Sequence, residues 1–379
     1  MIYLDNAATG GFKPRAVTER VETVTKYLCA NPGRSGHNLS LTAEKLVLSC
    51  REKLADFFDS SFDRVAFTKN CTEALNLAIF GTLRRGGHVI TTTFEHNSVL
   101  RPLYHLAKKG YITLDIVCPT LEKDIYEVIE EKINPKTYLI ACTSCSNVTG
   151  KVFPIRKIGE LCKQKNILFL VDGAQGAGHI PLSIKKDNIS MLALAGHKGL
   201  YGIMGSGALV FSDNVEISPL LLGGTGSETF NPDMPLDYPE RLEAGTLNLP
   251  AIASLEEGIN FLKNNLTHFS EQIEKTTEKI ISDLYSIENI TLYSRPNPAG
   301  IIAFNIRNLS SNKVSDLLNS EFDIAVRGGF QCAPLTHKFL NTLESGIVRV
   351  SLAVHNTSSE ISFLLNAVEK ISKGLYFKG

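Results

Sequence analysis

Between Arg64 and Val210, short apolar runs alternate with segments whose apolar residues recur every three or four positions. RVAFT (64–68), HVITT (88–92), YITLDIV (111–117), TYLIACT (137–143), ILFLVD (167–172) and SMLALAG (190–196) have strand length. CTEALNLAIFGTLR (71–84) and PIRKIGELCKQ (154–164), set between such runs, have helical spacing. Strands that are apolar on both sides and separated by helices predict an α/β fold with a mostly parallel sheet covered on both faces. Ligands of such sheets bind beyond the carboxyl ends of the strands. The informative positions are therefore Thr68 to Thr72, Glu95 and His96, Ser146 and Asn147, Asp172 to Gln175, and His197 with Lys198.

After Pro250 the texture changes. Residues 252–285 read as one long helix bridging two units, followed by the short strands GIIAFNI (300–306) and IVRVSLA (347–353) among amphipathic helices. At 379 residues the chain exceeds what one core usually serves. We expect a large domain over 12–255 and a smaller α+β domain from 1–11 with 256–379. Neither an internal repeat nor a low-complexity run interrupts the pattern.

Charge narrows the partners. Lys plus Arg and Asp plus Glu both number 39, which removes the electrostatic case for nucleic acid. No stretch of eighteen apolar residues occurs, and MIYLDNAATG lacks the pattern of a secretory leader, so no membrane partner and a cytoplasmic location are expected. The eight cysteines (29, 50, 71, 118, 142, 145, 162 and 332) are scattered, as free thiols in a reducing compartment would be. Cys142 and Cys145 form a C-x-x-C at the end of an apolar run, but no second pair completes a zinc site, and no metal is expected.

Three strand ends suit one ligand. TKNCTEALN (68–76) starts a helix with small polar residues, where free amides and the helix dipole favour a phosphate. VDGAQ (171–175) ends a buried strand in Asp172, and GHKG (196–199) carries Lys198. Each has a plain structural alternative: N-capping by Asn70 or Thr72, a turn aspartate, a lysine reaching water. Pyridoxal phosphate would use all three at once: an amine for a covalent link, a carboxylate for the ring nitrogen and an anion site.

Eight motifs extend the pattern over nearly the whole chain: YLDNAAT (3–9), EHNSVLRP (95–102), SNVTG (146–150), VDGAQ, GHKG, RLEAGTLN (241–248), AVRGGFQCAPL (325–335) and VRVSL (348–352). In this order they resemble the cysteine desulfurase and selenocysteine lyase group of the class V aminotransferase family. The resemblance implies the pyridoxal phosphate-dependent transferase fold of type I, with a seven-stranded sheet flanked by helices. It implies that Lys198 holds the cofactor, Asp172 its ring nitrogen and Gln175 its phenolic oxygen. His96 would stack on the ring and take part in catalysis, Thr72 and His197 would bind phosphate, and Cys71 and Asn147 would complete the cofactor set. Thr246 would reach the phosphate of the other subunit in a homodimer. Arg349, Asn147 and Asn6 would meet the substrate, the arginine offering its two-donor fork to an amino-acid carboxylate.

Cys332 then becomes the residue of interest. It lies in a glycine-bearing loop near Arg327, whereas the other seven cysteines sit in apolar or helical surroundings and read as packing residues. The resemblance implies that L-cysteine becomes L-alanine while Cys332 keeps the sulfur as a persulfide for an acceptor protein or thiol. Selenocysteine lysis or another pyridoxal phosphate-dependent C–S cleavage is the alternative on the same scaffold, and a phosphate-ligand-binding protein without catalysis is the alternative outside it. The chain departs from the family at Ser144 and Gln331, where relatives often carry histidine, and Phe330 makes the cysteine loop more apolar. The short interval from Cys332 to Arg349 resembles that of the family's branch with a compact active-site loop. GGTGS (223–227) lacks the lysine and helix of a P-loop and is expected to line the site.

Overall fold

The computed structural model describes residues 1–28, 30–33 and 35–375. The strands are β1 (Ile2–Tyr3), β2 (Val65–Thr68), β3 (Gly87–Thr92), β4 (Ile112–Val117), β5 (Thr137–Thr143) and β6 (Leu168–Asp172). They continue with β7 (Met191–Ala195), β8 (Gly207–Phe211), β9 (Ile290–Leu292), β10 (Ile301–Ile306), β11 (Ile324–Ala325) and β12 (Val348–Ser351). Seven form one sheet in the order β2-β8-β7-β6-β5-β3-β4. Every pair from β7 to β4 is parallel; β8 is antiparallel to both β7 and β2. The predicted α/β class with a mostly parallel, seven-stranded sheet is what the chain adopts.

Alternation explains why the strand runs lack polar residues. On β7, Leu192 and Leu194 enter one core while Met191, Ala193 and Ala195 enter the core on the opposite face. The same parity on β6 sends Phe169 and Val171 one way and Leu170 the other. Asp172 shares the parity of Leu170 and so faces the layer containing the helix Cys71–Gly81. The chain runs from β3 outward to β4 and returns to β5 on the other side of β3, making a topological switch whose carboxyl-edge crevice is the expected ligand position.

A third core forms where β10 pairs with β9 and β12, covered by helices Leu266–Tyr285, Ser311–Phe322 and Ser358–Ser372. Leu4 is buried in it, and β1 pairs with β11, so the N-terminal strand packs with the C-terminal region. The single helix expected over 252–285 is two, Leu249–Leu262 and Leu266–Tyr285. Asn265 breaks it: its side chain donates to the Phe261 carbonyl at 2.8 Å, competing with the backbone ladder, and asparagine is a weak helix former. The first helix packs in the core beneath the large sheet, the second in the small core.

Gly258 lets the first of these helices touch the turn after β7. A Cβ there would stand 1.9 Å from the Leu200 carbonyl oxygen, a backbone atom that cannot swing aside. Gly258→Ala should therefore lower stability by about 1–3 kcal/mol, read from the denaturant midpoint at constant slope. An unchanged midpoint would show that this contact relaxes freely.

Candidate active site

Eight of the residues singled out in the sequence line one cavity of about 100 Å³: Lys198, Asp172, Gln175, His96, Thr72, Cys71, His197 and Asn147. The cavity sits at the carboxyl ends of β5, β6 and β7. Asp172 is the last residue of β6, level with Ala193 of β7, so Lys198 emerges from the next strand end. Asp172 is almost fully buried; its Oδ1 accepts from the Ala174 N–H at 2.9 Å and from the Cys71 thiol at 3.4 Å. Burial draws the Lys198 amine below its ordinary value, Asp172 opposes that shift, and the guanidinium groups of Arg349 and Arg327 add to it. The thiol of Cys71, between aspartate and helix, is pushed well up by burial and by Asp172.

The helix Cys71–Gly81 aims its N-terminus at the cavity. Asn70 caps it by accepting from the Glu73 N–H at 2.9 Å, so the capping alternative is realised by Asn70 while Thr72 stays exposed. The Thr72 and Ser98 hydroxyls lie 2.8 Å apart, and Ser98 also meets His96 Nδ1 at 2.9 Å. His96 N-caps the helix Asn97–Lys108, accepting from the Ser98 N–H at 3.0 Å. Capping fixes its ring against the cavity, and burial lowers its basicity. His197 Nδ1 faces the Thr9 hydroxyl at 3.1 Å; burial, Lys198 and Lys13 bring it down to about 4. The Gln175 amide donates to the Ala7 carbonyl at 2.9 Å.

Four residues do not line this cavity. Asn6 is consumed structurally, donating to the Ser351 carbonyl at 2.9 Å and accepting from the Gly11 N–H at 3.0 Å. Thr246 is exposed in a separate cleft with Phe67, Lys69 and Asn248. The segment 223–227 likewise borders other clefts. Arg349 is buried behind Asn147: Nη1 donates to its carbonyl at 2.9 Å and Nη2 to Asp5 at 2.7 Å, while Nε has no partner. Cys332 is exposed, on a loop tied to the cavity wall through Asn147 Nδ2, which donates to the Gln331 carbonyl at 2.6 Å.

Sequence reasoning did not single out Ser98 or Thr143, which also line the cavity. Ser98 had a signal, since a serine two positions after a capping histidine at a helix start reaches the same space; Thr143 had none. Ser144 donates its hydroxyl to the Asp172 carbonyl at 2.9 Å, bracing the strand end. The other described cysteines are buried or half-buried; burial raises Cys145 and Cys162 to about 12. Cys29 lies outside the described residues. Among those described, no group of three or more His, Cys, Asp or Glu side chains is placed to hold a metal ion, and no helix is long and apolar enough to cross a membrane.

Glu95, fully buried below His96, accepts from the Thr92 hydroxyl at 2.6 Å and the Thr143 N–H at 2.9 Å, and its Oε2 has no partner. Burial raises it from 4.5 to about 8. Between those pH values the native protein holds a proton there that the unfolded chain lacks, so this group makes stability fall as pH rises, levelling above the upper value. Glu95→Gln should flatten that decline in denaturation experiments at about pH 5.5 and pH 8.5. An identical decline in both proteins would assign it to other groups.

The sequence pattern of the family described as aminotransferase class-V matches residues 2–364. The chain is 33% identical over 382 residues to a probable cysteine desulfurase of Methanothermobacter thermautotrophicus, covering 98% of this chain and 94% of the relative. It is also 33% identical to a probable cysteine desulfurase of Pyrococcus abyssi, covering 99% and 95% of the two chains. The apo structure of a cysteine desulfurase from Thermococcus onnurineus superposes with a TM-score of 0.90 at 31% identity, covering 99% of this chain and 95% of that one. With the strand-end lysine and aspartate of the sequence motifs facing one cavity in this fold, the chain belongs to the class V aminotransferase family.

Proposed function

We propose that this protein is a pyridoxal phosphate-dependent cysteine desulfurase that converts L-cysteine to L-alanine and keeps the sulfur on Cys332. The observation that carries the proposal is the pairing of the half-buried Lys198 amine with Asp172 at a helix N-terminus, beside a loop presenting the one exposed thiol among the described residues. The donor set fits the cofactor. Lys198 would hold it, the end of the helix Cys71–Gly81 with the Thr72 and Ser98 hydroxyls and His197 would take its phosphate, and Asp172 would keep a proton on its ring nitrogen. When bound, the cofactor supplies an aldehyde for the covalent link and a ring that accepts the electron pair released at the substrate's α-carbon.

The chain's own groups would do the rest. Lys198, its amine eased toward neutrality by burial, would take the α-proton. His96, anchored by its capping bonds, would wall the ring on one face. The Arg349 Nε, buried and without a partner, is a donor available to the substrate carboxylate beyond the Asp5 pair. The Cys332 sulfur would bond to the substrate sulfur as the substrate's Cβ–S bond breaks. The electron pair of that bond would stay on Cβ, which takes a proton to become the methyl group of alanine.

A homodimer is part of the same proposal. Thr246 lines a cleft other than its own chain's Lys198 cavity, and Leu220, Leu221, Leu222, Phe230 and Leu236 are exposed on the segment leading to it. Covering such side chains would favour association, and a second copy would bring Thr246 toward a phosphate. The seven described cysteines are free, which agrees with a reducing, cytoplasmic setting, and an exposed persulfide would be open to an acceptor protein or thiol.

Lys198→Ala should abolish the imine absorption at about 420 nm in protein supplied with pyridoxal phosphate. Cys332→Ala should keep that band and lose alanine formation by about a hundredfold or more, measured with L-cysteine and L-selenocysteine separately. Retained cysteine turnover in Cys332→Ala would reject the persulfide. Leu222→Asp should shift the sedimentation coefficient toward that of a single chain; a monomeric parent protein would reject the dimer.

A further inference from the structure

Two consecutive residues of the cysteine loop, Gln331 and Cys332, have left-handed backbone, with φ of 42° and 57°. Neither is glycine, and such a pair persists only where the surroundings hold it in place. Two holding contacts come from the cavity side, one from its wall and one from the start of the helix Asn97–Lys108. Asn147 Nδ2 donates to the Gln331 carbonyl, and the Asn97 N–H donates to the Cys332 carbonyl at 2.8 Å.

The third comes from behind the loop. The Gln331 side chain, 3% exposed, donates through Nε2 to the Ile347 carbonyl at 3.0 Å, which directs Oε1 toward His337 Nε2 at 3.1 Å. His337 is fully buried, its ring edge-on to Phe330 with centroids 5.3 Å apart, and its Nδ1 lies 2.8 Å from the Thr342 hydroxyl. An amide oxygen only accepts, so Nε2 must carry the ring hydrogen and Nδ1 must accept from Thr342. Burial lowers the basicity of this ring, which agrees with the neutral tautomer.

We propose that His337 is a positioning residue for the sulfur-carrying cysteine, acting through Gln331 to hold the left-handed pair that aims Cys332. It touches neither substrate nor cofactor. The departure at Gln331 thereby acquires a role: in place of a titratable neighbour for the thiol, this chain has an amide that locks the loop to a buried histidine six residues on. The proposal rests on Cys332 being the sulfur carrier.

Amide hydrogen exchange over 328–335, where the Ala333 N–H donates to the Phe330 carbonyl, reads the clamp in the full chain without turnover. In His337→Phe, exchange there should quicken about tenfold or more. Turnover of L-cysteine should lose about tenfold in kcat with KM within about twofold. His337→Gln, whose amide donor can reach the same oxygen, should restore both. Gln331→Leu should reproduce the His337→Phe result, which separates clamp loss from misfolding of the histidine variant. Wild-type exchange in both His337→Phe and Gln331→Leu, or a His337→Gln protein no better than His337→Phe, would overturn the proposal. Turnover retained in Cys332→Ala would instead overturn the sulfur-carrier role beneath it.

Discussion

An amine and a carboxylate are confined together at the carboxyl edge of a parallel sheet, and the rest of the site depends on that confinement. The parallel register of β6 and β7 opens their ends on the same side, delivering Asp172 from one and Lys198 from the other. Enclosure disfavours the lysine's charge. Asp172 makes that charge tolerable, and the competition leaves the lysine less basic than in water while the aspartate draws it back. Glycine at 199 permits the tight return: a Cβ there would fall 2.4 Å from the Ala177 carbonyl oxygen. The His197 carbonyl preceding the lysine receives the Gly10 N–H and the Lys13 amine, each at 3.0 Å, so the turn is held from the N-terminal segment as well.

Around this pair the charges are distributed by origin. The large sheet supplies the carboxylate, and the C-terminal region supplies Arg349 and Arg327, joined by an isolated antiparallel bridge. Asp5, carried in by the N-terminal strand, takes one arm of Arg349 and would otherwise leave a buried guanidinium uncompensated. Glu95 remains below, in surroundings that favour its neutral form, so it anchors the β3 end through hydrogen bonds without adding a second negative charge near Asp172. A space bounded by cations on one side and an acid on the other suits a small zwitterion linked to an electron-poor ring.

The thiols divide along a physical line. Cys50, Cys142 and Cys162 in one large core, and Cys145 in a small cluster beside it, pack as small apolar groups whose ionisation burial suppresses. Cys71 stands in the cavity yet gives its hydrogen to Asp172, which makes it a partner of the carboxylate. Cys332 alone among the described cysteines is exposed, and its loop owes its shape to donors from the cavity side and to a buried amide–imidazole pair. Rigidity in a short loop has a chemical use: a sulfur atom that is to meet a substrate must be aimed as well as accessible.

Local pattern determined much of this protein. Apolar runs without alternation required strands covered on both faces, and the polar residues that interrupt them at their ends, Asp172 and Lys198 among them, are where the cavity lies. The helix start at Cys71 was legible in the small polar residues at 70 and 72, of which Asn70 makes the cap. What had no local signature was decided by packing: the break at Asn265, the diversion of Asn6 to the Ser351 carbonyl, the placement of Thr246 in a separate cleft, and the pairing of Arg349 with Asp5, 344 positions away. Secondary structure follows from periodicities that neighbouring residues carry, whereas the partner of a buried polar group depends on which distant strand the fold brings beside it.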